Sequence, residues 1–328
     1  MNKSVRAAAQ VSKGRFDMIE LPRPQIGPEE GLLRIEACGI CGSDIEQFHG
    51  EFDDPLKLRY PRIPGHESVG RIEEIGDLAA ARWGVKVGDR VAVEPDVPCF
   101  HCRFCISARY RQCLERLPEP RIYGLVSTHV ANGLWGGFSE LMYLHPNSLL
   151  HKMPGDMPIE IAARVNAMSN GVSWAVTIPG TSMGDNAVVL GCGQRGLSAV
   201  IALKEAGAKT IVVTGLGRDR HKLELAKVLG ADAAVDIERE NLAGIVRDLT
   251  GGDMADVVVD TTPGYAKAFT DAIEIARVGG TISLAGTKGG AMVKDFTSDT
   301  VMRKSLTIKG ARGGKPSDQR VLLEKSRE

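Results

Sequence analysis

No apolar run in this 328-residue chain reaches membrane-spanning length, and neither sign of charge is in excess. Lys and Arg together number 41, as do Asp and Glu. A chain with no net basic field is not built chiefly to hold nucleic acid or an anionic membrane surface. The opening stretch MNKSVRAAAQVSKGRF lacks the continuous apolar core of a secretory signal, so a reducing cytoplasm is the expected location. What is left is the composition of a soluble globular protein, 43% hydrophobic and 25% charged, with length enough for two domains.

Against that ordinary background, PCFHCRFCISARYRQC carries four of the seven cysteines, spaced Cys99-x2-Cys102-x2-Cys105-x7-Cys113. A disulfide knot, an iron–sulfur ligand set, a zinc clasp and chance are the readings to weigh. In a reducing compartment such clusters bind metal more often than they pair. The bacterial ferredoxin run has a shorter last gap followed by Pro, whereas Leu114 follows here. The spacing therefore favours zinc. Four protein ligands close the coordination sphere, which makes the site structural. Arg103, Arg109 and Arg111 lie inside the loop and are expected to offset the two net negative charges of a four-thiolate zinc.

A second set lies upstream, in EACGICGSD and YPRIPGHESVG. Cys41, His66 and Glu67 would supply sulfur, nitrogen and oxygen and leave a fourth position open, the arrangement of a catalytic zinc. Asp44 is expected to hold the histidine through its far ring nitrogen. Gly39, Gly42 and Gly65 would let the backbone turn tightly, and Cys38 reads as a buried packing residue. Taken singly, each is a weak signal, since a His-Glu pair is more often part of a solvated loop.

From about Pro154 the pattern changes. NAVVL runs into GCGQRG, then the helical LSAVIALKEAGA, then TIVVT: strand, glycine turn, helix and strand in one dinucleotide-binding unit. Gly191, Gly193, Gln194, Arg195 and Gly196 are the candidate cofactor residues there, where a helix start would face the pyrophosphate. The continuous β-branched runs DVVVD, TISLA and LTIKG predict a parallel sheet buried on both faces. At the end of the second strand, VVTGLGRDRHKLELAK puts Gly215 and Gly217 where an NAD site usually offers an acid, with Arg218, Arg220 and Lys222 following. That favours NADP, while Asp219 keeps NAD open.

The order of these features, with GICGSD, GHESVGRIEEIG, VGDRVAVEP, the cysteine lobe, GCGQRG and AKVLGAD, resembles the zinc-containing medium-chain alcohol dehydrogenases. Their sorbitol and threonine dehydrogenase branches are included, and the resemblance runs from about residue 20 to residue 313. It implies a mixed α/β chain. A GroES-like β-rich catalytic domain would span 1–155 and a Rossmann-type doubly wound parallel sheet 156–315, with the active site between them. It also implies two zinc ions per subunit, NAD(P), and a homodimer or homotetramer. In such enzymes zinc polarises the substrate alcohol so that its proton leaves near neutral pH, and a hydride passes to the nicotinamide. By similarity Cys41 and His66 are zinc ligands, and the Ser43 hydroxyl passes the proton outward.

Three departures from the family pattern matter. Asn166 stands where a further ligand or a water-holding glutamate is usual, and an amide oxygen is a poor zinc ligand beside a carboxylate, which shifts weight to Glu67. Glu46 stands where a relay histidine is usual, either as a proton acceptor or as a solvated charge. After LTIKGARGG the family usually continues for longer, whereas here a single helix over 316–328, capped by Ser317, is expected, as in a fragment or a shortened form. The expected function is zinc-dependent hydride transfer between an alcohol (a polyol, sugar or secondary alcohol) and NAD(P). A zinc-free quinone reductase and a nucleotide-binding regulatory protein that has lost catalysis are the rivals.

Overall fold

A computed structural model describes residues 4–116 and 121–313. The chain divides into two compact units between Asn166 and Ala167. The division falls later than the expected boundary at 155 for a packing reason. Ala162 and Val165 are buried with Val69, Ala92 and Met153, so the segment after the last strand of the first unit stays with that unit's core. The helix expected over 316–328, with its cap Ser317, lies outside the described residues.

The first unit is antiparallel. Strands β1 (Ser4–Ser12) and β2 (Arg15–Pro22) form a hairpin. Five more, β3 (Gly31–Gly39), β4 (Glu67–Ile75), β5 (Arg90–Val93), β6 (Leu141–Leu144) and β7 (Leu150–Lys152), form a sheet in the order β6-β3-β4-β5-β7. Leu32, Leu33, Ile72, Val91, Met142 and Leu144 meet in one buried cluster. The register pairs Gly39, the last residue of β3, with Glu67, the first of β4. That single pairing brings the GICG and GHE segments side by side, although they are far apart in sequence.

The second unit is a six-stranded parallel sheet. Its strands are β8 (Asn186–Leu190), β9 (Thr210–Gly215), β10 (Ala233–Asp236), β11 (Ala255–Asp260), β12 (Ala276–Leu284) and β13 (Thr307–Gly310). The order β10-β9-β8-β11-β12-β13 is the doubly wound 3-2-1-4-5-6 arrangement of dinucleotide-binding folds. Alternate residues of the central strands feed two different cores. Val189, Ile211 and Val213 pack with Ala199 and Leu203, whereas Val188, Leu190 and Val212 pack with Val246 and Ala272. Burial on both faces is why these strands read as unbroken apolar runs.

Candidate active site and metal centres

The four-cysteine lobe folds without a regular strand. The sulfurs of Cys99, Cys102, Cys105 and Cys113 lie within 4.8 Å of one another, and all four are free thiols. The Cys99 and Cys105 sulfurs are 3.7 Å apart. A disulfide needs about 2.05 Å, and a tetrahedron with metal–sulfur bonds of about 2.3 Å has edges of about 3.8 Å. The spacing therefore fits a four-thiolate metal and not a bond. Phe100, in the first Cys-x-x-Cys turn, takes a left-handed φ of 62°. The Cys102 amide donates to the Cys99 sulfur at 3.3 Å. Hydrogen bonds from the backbone at Leu114 and Cys105 pull the Cys102 thiol down to about 6, whereas burial pushes Cys105 up.

Of the three loop arginines, Arg111 does not behave as expected. Arg111 donates to Glu94 at 2.9 Å and to Asp96 at 3.0 Å, so two buried carboxylates already balance its charge. The Arg103 and Arg109 guanidiniums lie 4.8 and 5.2 Å from the Phe104 ring centroid. At the sulfurs themselves the structure shows hydrogen bonds from backbone amides.

The open set is built by the β3–β4 pairing and the helix Gly42–Phe48. One donor atom each from Cys41, His66 and Glu67 lies within 4.8 Å of the others. Cys41 is the N-cap of that helix, and Asp44 in its first turn accepts the Cys41 amide at 2.7 Å. Asp44 also faces His66, with Oδ1 3.2 Å from Nδ1, which leaves Nε2 turned the other way. Ser43 Oγ stands 3.3 Å from that Nε2. Burial alone would push the His66 imidazole down. Contacts with Asp44 and Cys41 outweigh it and hold the ring up at about 10, so the pocket's field favours a cation.

Glycine matters here at two positions. A Cβ on Gly39 would lie 2.4 Å from Glu67 Oε2, and Gly65 has φ +92° with Phe138 and Cys38 crowding its missing side chain. Gly42 has open space around it and needs no special φ, so the turn does not depend on it. Cys38 is half-buried and packs against Ser68, and burial pushes its thiol up to about 12, which keeps it a neutral packing group. Asn166 is buried, in the helix Val165–Val172. Glu46 is half-buried on the Gly42–Phe48 helix and is not part of the Cys41/His66/Glu67 cluster.

In the second unit the glycine turn follows β8. Gly191 has φ +98°, and a Cβ on Gly196 would lie 1.9 Å from the Gly191 oxygen, so the helix can start this close to the strand only without a side chain there. Gly193 caps the helix Gln194–Glu205 and faces open space, a cradle that suits a pyrophosphate. Gln194 and Arg195 open the helix, with the Arg195 guanidinium 5.1 Å from the Trp174 ring. Thr261 Oγ1 donates to the Leu190 oxygen at 2.9 Å and walls the turn, and behind it Lys288 bonds to buried Asp260 and to Thr262.

At the end of β9 the structure adds residues that the β9 loop itself does not contain. Gly215 and Gly217 carry no acid, but the corner is not free of one. β10 runs parallel to β9 with Asp236 opposite Gly215, and Glu238 Oε2 accepts the Gly217 amide at 2.9 Å. A Cβ on Gly215 would strike the Cys192 sulfur at 2.6 Å, so this glycine is there for packing. Arg218 and Arg220 are exposed, and Asp219 is tied to Lys222 at 2.7 Å. Strand adjacency is the signal that could have found Asp236 and Glu238.

Comparison with known proteins places the chain in a family. Residues 27–155 match the model of the alcohol dehydrogenase GroES-like domain, and residues 196–327 match that of the zinc-binding dehydrogenases. A probable alcohol dehydrogenase of Mycobacterium tuberculosis is 42% identical over 322 residues, covering 98% of this chain and 86% of its own. The erythritol/L-threitol dehydrogenase of Mycolicibacterium smegmatis is 34% identical, covering 91% and 80%. Among solved structures, the alcohol dehydrogenase TADH of Thermus sp. ATN1 superposes with a TM-score of 0.81 at 26% identity, covering 98% and 87%. The chain belongs to the zinc-containing medium-chain alcohol dehydrogenase family. No helix among the described residues is long and apolar enough to cross a membrane.

Proposed function

We propose that the chain oxidises or forms an alcohol, with Cys41, His66 and Glu67 as ligands of a catalytic zinc and Cys99, Cys102, Cys105 and Cys113 as ligands of a structural one. The observation that carries the reading is the approach of Cys41, His66 and Glu67 to within 4.8 Å, with Ser43 Oγ 3.3 Å from His66 Nε2. When bound, the zinc acts as a Lewis acid on the alcohol oxygen and the nicotinamide accepts the hydride. The residues do the rest. Asp44 orients the His66 ring from the Nδ1 side and leaves Nε2 for the metal. The Ser43 hydroxyl takes the alcohol proton and hands it outward. Glu46, three residues on along the same helix face, is proposed as the next acceptor. The Gly191–Gly196 turn and the first residues of the following helix hold the pyrophosphate.

A polyol or sugar is the proposed substrate class, supported by the likeness to the erythritol/L-threitol dehydrogenase. Activity coupled to NAD(P) across a panel of polyols, sugars and secondary alcohols tests it. Turnover of simple secondary alcohols alone would overturn the substrate class, and nucleotide binding without any turnover would support the regulatory reading. For the cofactor, preference for the 2′-phosphate form is proposed on exposed Arg218. Glu238 works against it by bringing a carboxylate to the same turn. The two side chains are opposing handles on one preference. A homodimer or homotetramer is proposed as well. It is supported by Phe100, Ile106 and Leu114, which expose apolar surface on the cysteine lobe, and analytical ultracentrifugation tests it.

A further inference from the structure

We infer that Arg62 is a positioning residue for the open metal site, pinning together the two chain segments that carry Cys41 and His66. The inference rests on the reading that those two residues bind metal. Arg62 is wholly buried, which is costly for a guanidinium unless it is paired and hydrogen-bonded. Its Nη2 donates to Asp53 Oδ1 at 2.8 Å and to Gln10 Oε1 at 2.9 Å, and its Nε donates to Gln10 Oε1 at 3.2 Å. The guanidinium carbon sits 4.3 Å from the Tyr60 ring centroid, and Tyr60 donates to the second Asp53 oxygen at 2.5 Å.

The network ends on the metal-site helix. Gln10, also wholly buried, turns its Nε2 to the carbonyls of Gln47 and Phe48, 3.1 Å from each. These are the last residues of the helix Gly42–Phe48, whose N-cap is Cys41. Carbonyls at a helix end have no partner within the helix, so a side chain that accepts this role fixes where the end lies. Arg62 Nη2 also reaches the Gln47 carbonyl at 3.5 Å. From the other direction, Arg62 and Gln10 exchange both backbone hydrogen bonds, at 2.8 and 3.1 Å, and His66 follows four residues after Arg62. One buried cation thus ties the foot of the Cys41 helix to the strand-like run that ends in His66. A helix this short moves as a rigid rod of about 10 Å, so a shift at its foot is a shift at its cap.

Stability alone does not report the positioning role. Arg62 Nη1 is buried without a hydrogen-bond partner among the described residues, so replacing the side chain relieves one unmet donor. It also leaves Asp53 Oδ1 and Gln10 Oε1 without their donor, which costs stability. The positioning role shows in the difference between the two metal sites.

The test is zinc affinity at both sites of the full chain, measured by chelator competition, for the wild type, Arg62→Met, Arg62→Lys and Asp53→Asn. The wild type should bind two zinc ions. Arg62→Met should bind the open-site zinc about tenfold or more weakly, in the range found for groups that orient metal ligands. Its four-cysteine zinc should be unchanged, and Arg62→Lys should recover part of the loss. If Arg62→Met does not fold, Asp53→Asn carries the same expectation. Open-site affinity within twofold of wild type, or parallel weakening of both sites, would overturn the inference. A wild type with zinc only at the cysteines would instead remove the reading on which it rests.

Discussion

The two candidate metal centres of the first unit make a controlled comparison. One draws its four sulfurs from Cys99 to Cys113, a single loop. The other draws a sulfur, a nitrogen and an oxygen from segments distant in sequence, brought together by the Gly39–Glu67 register of the β3–β4 pair and by the Arg62–Gln10 network. The loop carries its own geometry and offers no vacant position once four thiolates close on a metal. The strand-built site depends on the fold around it, and three ligands there would leave room for a reacting oxygen. A self-contained centre suits stability, and a centre held by distant parts of the chain suits chemistry.

Exchanging the roles in experiment is the strongest way to break this contrast. Cys105→Ala should release one zinc and lower stability by several kcal/mol, because structural zinc binding is itself folding energy. Thermal melting with metal analysis checks it, and a full metal content at an unchanged Tm contradicts it. Cys41→Ala should leave the fold in place. Its kcat should fall by about a thousandfold or more, which corresponds to about 4 kcal/mol of lost transition-state stabilisation.

A finer cut separates the third ligand from its neighbour in sequence logic. Glu67→Ala should lose the open-site zinc more readily than Asn166→Ala, since a carboxylate is the better ligand. Zinc retention during dialysis ranks the two, and the reverse order would make Asn166 the ligand.

Both centres should be indifferent to the cofactor corner, which sharpens the comparison by serving as a control. Arg218→Ala should weaken NADPH relative to NADH by about tenfold, the loss of one charge-assisted contact, and Glu238→Gln should move the ratio the other way. Dissociation constants from nucleotide fluorescence would show it, with zinc content unchanged in both variants.

The smallest effect concerns the lobe's support. His145 accepts the Asn147 amide on Nδ1 at 3.0 Å, and Asn147 Nδ2 holds the Pro98 carbonyl at the entry to the cysteine loop. Burial, helped by Arg121 and opposed by Glu30, pushes the His145 imidazole down. As pH falls below about 6.5 the unfolded chain takes up this proton before the folded chain does. Stability is therefore full above that pH and is lost as pH falls toward the lowered folded value. His145→Gln should flatten the slope of Tm against pH in that window, and an unaltered slope would remove His145 from the lobe's support.

The same contrast explains what the chain's letters reveal. The cysteine lobe is legible because its ligands are neighbours in sequence. The parallel sheet is legible because strands buried on both faces, such as Val188 and Val189 of β8, read as unbroken apolar runs. Arg62, Gln10 and Asp53 were not legible as a unit, because β1, the helix and the run before His66 meet only in three dimensions. Glu238 is hidden in the sequence for a similar reason, since its place beside Gly217 follows from the β9–β10 pairing and not from the loop after β9. Proximity in sequence points Arg111 at the sulfurs, whereas Glu94 and Asp96, which precede the loop in sequence, claim it.

The central claim is that the chain holds one closed and one open zinc, and that the open one does the chemistry. The most direct measurement is zinc stoichiometry, NAD(P)H binding and turnover on one preparation each of the wild type and Cys41→Ala. The account predicts two zinc ions falling to one, cofactor affinity unchanged and turnover abolished. A Cys41→Ala protein that keeps both zinc ions, or that still turns over the alcohol, would contradict it.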